Sequence, residues 1–304
     1  MTILFIGLGN MGAPMARNLA KRFDVLLSDV NVDVANALAA ELGSKAVDLA
    51  RLPTSVDTVV LMVPSSPVVE SLVLGPGRLL EQLAADSLII DMSSAEPSST
   101  QRLAALASQR GIAYVDAPVS GGVAKAETAE LAIMVGAETS AFERARNVLG
   151  ALGGSIHHVG APGAGDVAKA LNNLLSATNI AAAAETLSAA ARFGIEPEAM
   201  LEVINASTGR SQASEVKFPS HVLTGTFSSG FGMDLMLKDL AIARSLTVGA
   251  GLIAPVTDAA HTSALQAREL TGPSPDHTEI VRVYEHTNAT PLRVRSQREQ
   301  RKPQ

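Results

Sequence analysis

The sequence predicts an α/β protein: a doubly wound parallel-sheet domain followed by an all-helical domain that opens with one long connecting helix. Three observations predict it. Short apolar runs alternate with helix-forming stretches through the first half of the 304 residues. A glycine loop, Gly7-Leu8-Gly9-Asn10-Met11-Gly12, follows the first apolar run and opens the first helical stretch. After Gly165 no strand pattern returns, and residues 166–193 contain neither glycine nor proline.

The strand candidates are 2–6, 25–29, 58–63, 88–91 and 113–116. Each is a mostly continuous apolar run, the pattern of strands covered on both faces of a parallel sheet. Helical stretches at 11–21, 34–41, 68–74 and 99–110 lie between them, a rhythm that reads as right-handed βαβ units. Residues 131–135 and 155–158 form a further strand pair. Seven alanines crowd into 181–191, and the stretch 166–193, at 1.5 Å per residue, makes a helix of about 40 Å. Helices follow at 197–206, 214–223, 234–249 and 254–269. The expected domains are therefore 1–162, which binds a dinucleotide, and 163–290, all helical, with a solvated basic tail at 291–304. No internal repeat is visible.

Composition narrows the function. At 47% hydrophobic and 18% charged residues the chain can bury a large core, which excludes intrinsic disorder for most of it. No apolar run approaches the ~20 residues of a membrane helix. No secretory leader pattern precedes the first strand. The absence of cysteine excludes disulfide scaffolds, thiol catalysis and cysteine-ligated metal sites, and fits a cytoplasmic protein. A net charge of -6, with seven Phe, two Tyr and no Trp, argues against nucleic-acid binding. The six histidines, at 157, 158, 221, 261, 277 and 286, show no metal-ligand spacing, so no metal is expected. No G-x-S-x-G is present to supply a serine nucleophile.

The glycine loop has a physical purpose at each position. Gly7 permits the tight turn, Gly9 lets a pyrophosphate approach the backbone, and Gly12 lets helix and strand pack closely. The helix that begins there offers N–H groups to phosphates, with Asn10 and Met11 at its mouth. Asp29 closes the second strand, where a carboxylate accepts hydrogen bonds from a free ribose hydroxyl and repels a 2′-phosphate. Val30-Asn31-Val32-Asp33 brings no arginine to hold such a phosphate, so NAD is expected over NADP.

Two clusters suggest chemistry. Lys169, Asn172 and Asn173 are spaced i, i+3, i+4, which is expected to put all three on one face of an apolar helix, where asparagine is a poor interior residue. Asp116-Ala117-Pro118-Val119-Ser120-Gly121-Gly122 follows a strand toward the carboxyl edge of the sheet, where such folds bind ligands. Its Ser-Gly-Gly exposes backbone N–H groups suited to a carboxylate.

With these motifs the chain resembles the β-hydroxyacid dehydrogenase family of the 3-hydroxyisobutyrate dehydrogenase type. The matching stretches, in order, are 7–19 (GLGNMGAPMARNL), 116–122 (DAPVSGG), 163–173 (GAGDVAKALNN) and Lys238-Asp239-Leu240. The resemblance covers about residues 1–285. It implies a Rossmann-type domain, a helical domain, and reversible oxidation of a β-hydroxyacid with a nicotinamide cofactor. Residue by residue, it implies that Lys169 is catalytic. Asn173, with Asn172 beside it, would hold the substrate hydroxyl, and Ser120, Gly121 and Gly122 the carboxylate. Phe231 and Asp234 would border the pocket. Lys238 would lie near the nicotinamide, and Asn10, Met11, Asp29, Val63, Pro64 and Ser94 would contact the cofactor.

The chain departs from the family pattern in places. Ser94 stands where threonine is common, and Lys125 and Ala129 stand where glycines are. Asp166 replaces a common glutamine and adds a charge one turn before Lys169. In the implied mechanism Lys169 takes the hydroxyl proton in oxidation and returns it in reduction. A free lysine titrates near ~10.4, so such a base needs desolvation or a second cation, with Lys238 as the candidate. Within the fold the alternatives are 6-phosphogluconate dehydrogenase, for which the helical part is too short, and imine reductases, which generally lack the lysine. The alternative substrates are small aldehyde acids of the tartronate or succinic semialdehyde type. A non-catalytic dinucleotide-binding protein is the alternative outside enzymes. The stretch 204–210 (INASTGR) leans toward 3-hydroxyisobutyrate. The long helix exceeds what a domain of about 120 residues can cover, so a homodimer or homotetramer is expected, with Ala184→Glu or Ala191→Glu weakening it.

Overall fold

The computed structural model describes residues 1–75 and 79–293 and divides into two compact units, Met1–Lys169 and Ala170–Gln304. Residues 294–304 of the expected basic tail lie outside the described residues.

The first unit runs β1 (Thr2–Ile6), α1 (Gly12–Ala20), β2 (Asp24–Ser28), α2 (Val32–Leu42), β3 (Lys45–Ala46), β4 (Val56–Leu61), α3 (Ser66–Leu74), α4 (Leu79–Gln82), β5 (Leu88–Asp91), α5 (Pro97–Ser108), β6 (Ala113–Asp116), β7 (Val119–Ser120), α6 (Gly122–Thr128), β8 (Leu131–Gly136), α7 (Thr139–Leu149) and β9 (Gly153–Gly160). Six strands pair in parallel in the order β3-β2-β1-β4-β5-β6, the doubly wound arrangement. β8 then pairs antiparallel with β6 and β7 and parallel with β9. The continuous apolar runs have the expected cause. Ile3, Phe5, Leu27, Val60 and Ile90 bury into one core, whereas Leu4, Ile6, Leu26, Val59 and Ile89 bury into another. Successive side chains alternate across the sheet, and both faces are covered.

Sequence reading missed β3, β7, α4, α6 and α7. The first three are too short to carry a period. α7 did carry one: Ala141, Phe142, Ala145, Val148 and Leu149 form a single buried stripe. α6 ends on Ala129 with φ +58°, a left-handed residue where glycine would be unstrained.

α8 (Ala164–Arg192, 29 residues) begins in the first unit and continues into the second. α9 (Pro197–Asn205), a π-helix (Ala213–Val222), α10 (Met233–Gly249), α11 (Pro255–Glu269), a 3-10 turn (His277–Ile280) and α12 (Val281–Asn288) complete the chain. The segment read as an α-helix over 214–223 is the π-helix, with Pro219 inside it. The second unit's core gathers Ile180, Ala184 and Leu187 of α8 with Phe218, Met233, Leu240 and Ile280.

One expectation about the long helix is corrected here. Ala184 is 0% exposed within this single chain, so Ala184→Glu would disrupt folding rather than association. Composition placed small residues on this helix but not the direction each one faces.

Candidate active site

The glycine loop is built as its residue types require. Gly7 has φ +96°, and a Cβ there would collide with the Met62 carbonyl. A Cβ at Gly12 would strike the Gly7 carbonyl, so this glycine sets the close packing of α1 on β1. A Cβ at Gly9 would meet nothing within 4 Å, so this backbone is open to a ligand. α1 has no acidic residue in its first turn and no side-chain cap, whereas α2 is capped by Asn31. The N-terminus of α1 therefore offers its N–H groups and dipole to an anion. Gly7, Gly9, Gly12 and the open helix end fit the pyrophosphate of a dinucleotide.

Asp29 is tied to this loop. One carboxylate oxygen accepts from Leu8 N–H at 2.6 Å and the other from Asn31 N–H at 2.8 Å. It both fixes the loop and caps the following turn. Each oxygen has a second lone pair for a ribose hydroxyl. Ser93 Oγ accepts from Val63 N–H at 3.0 Å, which brings the ends of β4 and β5 together and holds Val63 and Ser94 near each other. Val63 also lies beside Gly7. Asn10 and Pro64 are exposed, and Met11 is half-buried.

Three carboxyl groups sit buried at the carboxyl ends of β5 and β6 and the start of α8. Asp91 accepts from Ser93 N–H at 3.0 Å and from the Tyr114 hydroxyl at 3.0 Å. Asp116 accepts from Gly163 N–H at 2.8 Å and Asp166 N–H at 3.1 Å, clamping the first turn of α8. A Cβ at Gly165 would lie 2.7 Å from the Asp116 carboxylate, so this motif glycine makes room for the clamp. Asp166 in turn accepts from Ala95 N–H at 3.1 Å and bonds Thr100 Oγ1 at 2.7 Å. Burial first, then the negative charges of Asp116 and Asp91, push the Asp166 carboxyl well above the carboxylate range. Burial pushes Asp116 up to about 6 and the Tyr114 hydroxyl well above its usual value. Burial thus disfavours the extra charge expected at Asp166.

Lys169 follows one turn later and is 7% exposed. Asn173 is 6% exposed, and its Nδ2 donates to Asp239 Oδ2 at 2.6 Å. Asp239 is buried and lies 3.6 Å from Lys238 Nζ. Sequence reading quoted Asp239 within a motif but assigned it no role; its position next to Lys238 was the available signal. Asn172 does not share the buried face. It is exposed, and its Nδ2 reaches Asn173 Oδ1 at 3.4 Å. Three residues along a helix is a rotation of about 300°, not a full turn. Ser120 ends β7 half-buried, and Gly121 and Gly122, with φ +135° and +69°, open α6. Phe231 lies edge-on to His277, with centroids 5.4 Å apart. Asp234 is mostly exposed, with its carboxylate 2.6 Å from Arg268 Nε. Among the described residues no group of three or more His, Cys, Asp or Glu is placed to hold a metal ion. None of the described helices is long and apolar enough to cross a membrane.

Comparison with known proteins agrees with this architecture. Residues 2–160 match the family described as the NAD binding domain of 6-phosphogluconate dehydrogenase. Residues 163–284 match the family described as NAD-binding of NADP-dependent 3-hydroxyisobutyrate dehydrogenase. The chain is 40% identical over 287 residues to 2-(hydroxymethyl)glutarate dehydrogenase of Eubacterium barkeri, covering 92% of this chain and 94% of that one. It is 39% identical over 255 residues to the NAD-dependent L-serine dehydrogenase of Pseudomonas aeruginosa, covering 80% and 84%. The solved structure of Mycobacterium tuberculosis 3-hydroxyisobutyrate dehydrogenase with L-serine aligns with a TM-score of 0.84 at 33% identity, over 93% of this chain and 98% of that one. The chain belongs to the β-hydroxyacid dehydrogenase family and is an NAD-dependent oxidoreductase of hydroxyacids.

Proposed function

We propose that Lys169 is the general acid and base of this enzyme, and that its substrate is a 3-hydroxypropanoate carrying a substituent on C2. The observation that carries the first part is the burial of Lys169 on α8, with buried Asn173 one turn on. A lysine is almost never covered to this degree unless it is paired or put to chemical use. The substrates named for the three relatives carry the second part: 2-(hydroxymethyl)glutarate, serine and 3-hydroxyisobutyrate are all primary alcohols β to a carboxylate, differing in the C2 substituent.

The roles divide as follows. Ser120, Gly121 and Gly122 receive the substrate carboxylate on the backbone N–H groups of a turn with positive φ at both glycines. Asn173, oriented by Asp239, holds the substrate hydroxyl, with Asn172 at the rim. Lys169 removes the hydroxyl proton during oxidation and returns it during reduction. Phe231 and Asp234 border the C2 substituent. Gly7, Gly9, Asn10, Met11, Gly12, Asp29, Val63, Pro64, Ser94 and Lys238 hold NAD, which supplies a hydride acceptor when bound.

Screening short hydroxyacids for NAD reduction tests this reading. Primary β-hydroxyacids should react and secondary α-hydroxyacids should not; the reverse order would overturn it. NAD should exceed NADP in kcat/KM by at least about tenfold, or 1.4 kcal/mol. Asp29→Ser combined with Val30→Arg should narrow that gap. The ratio is the readout, because Asp29 also holds two backbone N–H groups.

We further propose that the protein works in the cytoplasm as a homodimer or a tetramer of dimers. Leu171, Leu175, Ala182 and Ala189 form one exposed stripe on α8, opposite its buried face, and Phe193 follows at its end. Leu175 is 60% and Phe193 88% exposed. An apolar stripe of this kind marks an interface. Light scattering should give a multiple of 31.4 kDa, and Leu175→Glu should shift the mass toward one chain. A native mass of 31.4 kDa would refute the assembly.

A further inference from the structure

The buried face of α8 continues from Asn173 through Ser176 before it enters the apolar core at Ile180. At 3.6 residues per turn, Lys169, Asn173, Ser176 and Ile180 lie within about 60° of one another around the helix. Ser176 Oγ accepts from Lys217 Nζ at 2.6 Å. A half-buried ammonium group is therefore held where the polar end of this face meets the core.

Lys217 is carried by the π-helix, whose wide turns and internal Pro219 set it apart from its neighbours. Such turns recur at functional sites. His277 is buried against Phe231 and the Ser229 hydroxyl. Its imidazole is held neutral, with a pKa of about 4, by burial first and by the Lys217 charge second. His221, four residues beyond Lys217 on the same helix, has a buried Nδ1 with no hydrogen-bond partner. His221 also adds to the positive field at His277.

Ser176 lies about 4.5 Å beyond Asn173 along the helix axis and about 10 Å beyond Lys169. A substrate whose hydroxyl is held at Lys169 and Asn173 can extend its C2 substituent along this face to the level of Lys217. We propose that Lys217, steadied by Ser176, binds a carboxylate at the far end of that substituent, so that the preferred substrate is a hydroxy-dicarboxylic acid. This rests on the reaction proposed above. The ammonium supplies a charge-assisted hydrogen bond, stronger in a partly buried place than in water.

The test uses two compounds that differ at one terminus. The first is 2-(hydroxymethyl)glutarate; the second is 2-(hydroxymethyl)pentanoate, with methyl in place of the distal carboxylate. NADH formation gives kcat/KM for each. The intact enzyme should favour the dicarboxylate by about 10- to 100-fold, the worth of a hydrogen bond to a charged group. Lys217→Met should bring the two within about threefold, well under one decade of affinity, and Lys217→Arg should restore most of the preference. Ser176→Ala should raise KM for the dicarboxylate more than for its partner. Equal turnover of the two compounds by the intact enzyme, or an unchanged ratio in Lys217→Met, overturns the proposal and leaves the reaction class standing. If neither compound reacts and L-serine and 3-hydroxyisobutyrate are also inert, the proposed reaction itself is overturned.

Discussion

Lys169→Ala is expected to lower kcat by about 10²–10⁴ while NAD binding stays nearly intact, because proton transfer by a positioned group is worth that much. Lys169 is buried on α8, one turn beyond an N-terminus that Asp116 clamps through Gly163 and Asp166. The clamp fixes the backbone of the turn that precedes Lys169. In the proposed role, removing the amine deletes the proton acceptor and leaves the glycine loop around Gly9 untouched. Lys169→Arg should also be poor, since guanidinium does not give up its proton in the working pH range. Fluorescence titration of NADH separates binding from turnover. A variant retaining more than about a tenth of wild-type kcat would remove Lys169 from the role.

Asp166→Ala is expected to cost about 2–4 kcal/mol of stability, because it strands the buried Ala95 N–H and the Thr100 hydroxyl. Asp166→Asn should cost little or stabilise. Its oxygen can accept from Ala95 N–H, and its amide can donate to Thr100 once that hydroxyl, which donates to Asp166 Oδ2 in the natural chain, turns to accept. The pH dependence follows from the raised pKa. The folded chain holds this proton more tightly than the unfolded one. The stabilisation is therefore complete below the unfolded value near ~3.9 and fades as pH rises through the folded value. The advantage of Asp166→Asn over the natural residue should grow from pH 5 to pH 8 in urea unfolding. An advantage that shrinks over that range would show Asp166 ionised in the fold.

Much of the site was legible because its physics is local. A strand, three glycines and a helix start specify a phosphate loop wherever they occur, and Asp29 follows at the end of the next strand. Lys169 and Asn173 could be placed together by helical spacing alone. Other assignments needed the third dimension. Asn172 and Asn173 are equivalent as letters, yet a rotation of about 100° buries one and exposes the other. Asp234, read from the motif as bordering the pocket, also carries an ion pair with Arg268 that spacing does not show. Asp166 looked like an added charge, and only burial beside Asp116 and Asp91 shows that its carboxyl is pushed upward, against ionisation. Lys217 stood in an ordinary helical segment until the π-helix brought its ammonium to Ser176, 41 positions earlier in the chain.

By itself, then, the sequence determined the doubly wound sheet, the helical second unit, the dinucleotide loop and the family. Each depends on contacts between near neighbours or on periods set by backbone geometry. The tertiary structure alone decided which face of α8 is covered, which carboxyls are pushed against ionisation, and which cation meets that helix. Those properties depend on burial and on charges brought together from distant parts of the chain, and neither is a function of local spacing.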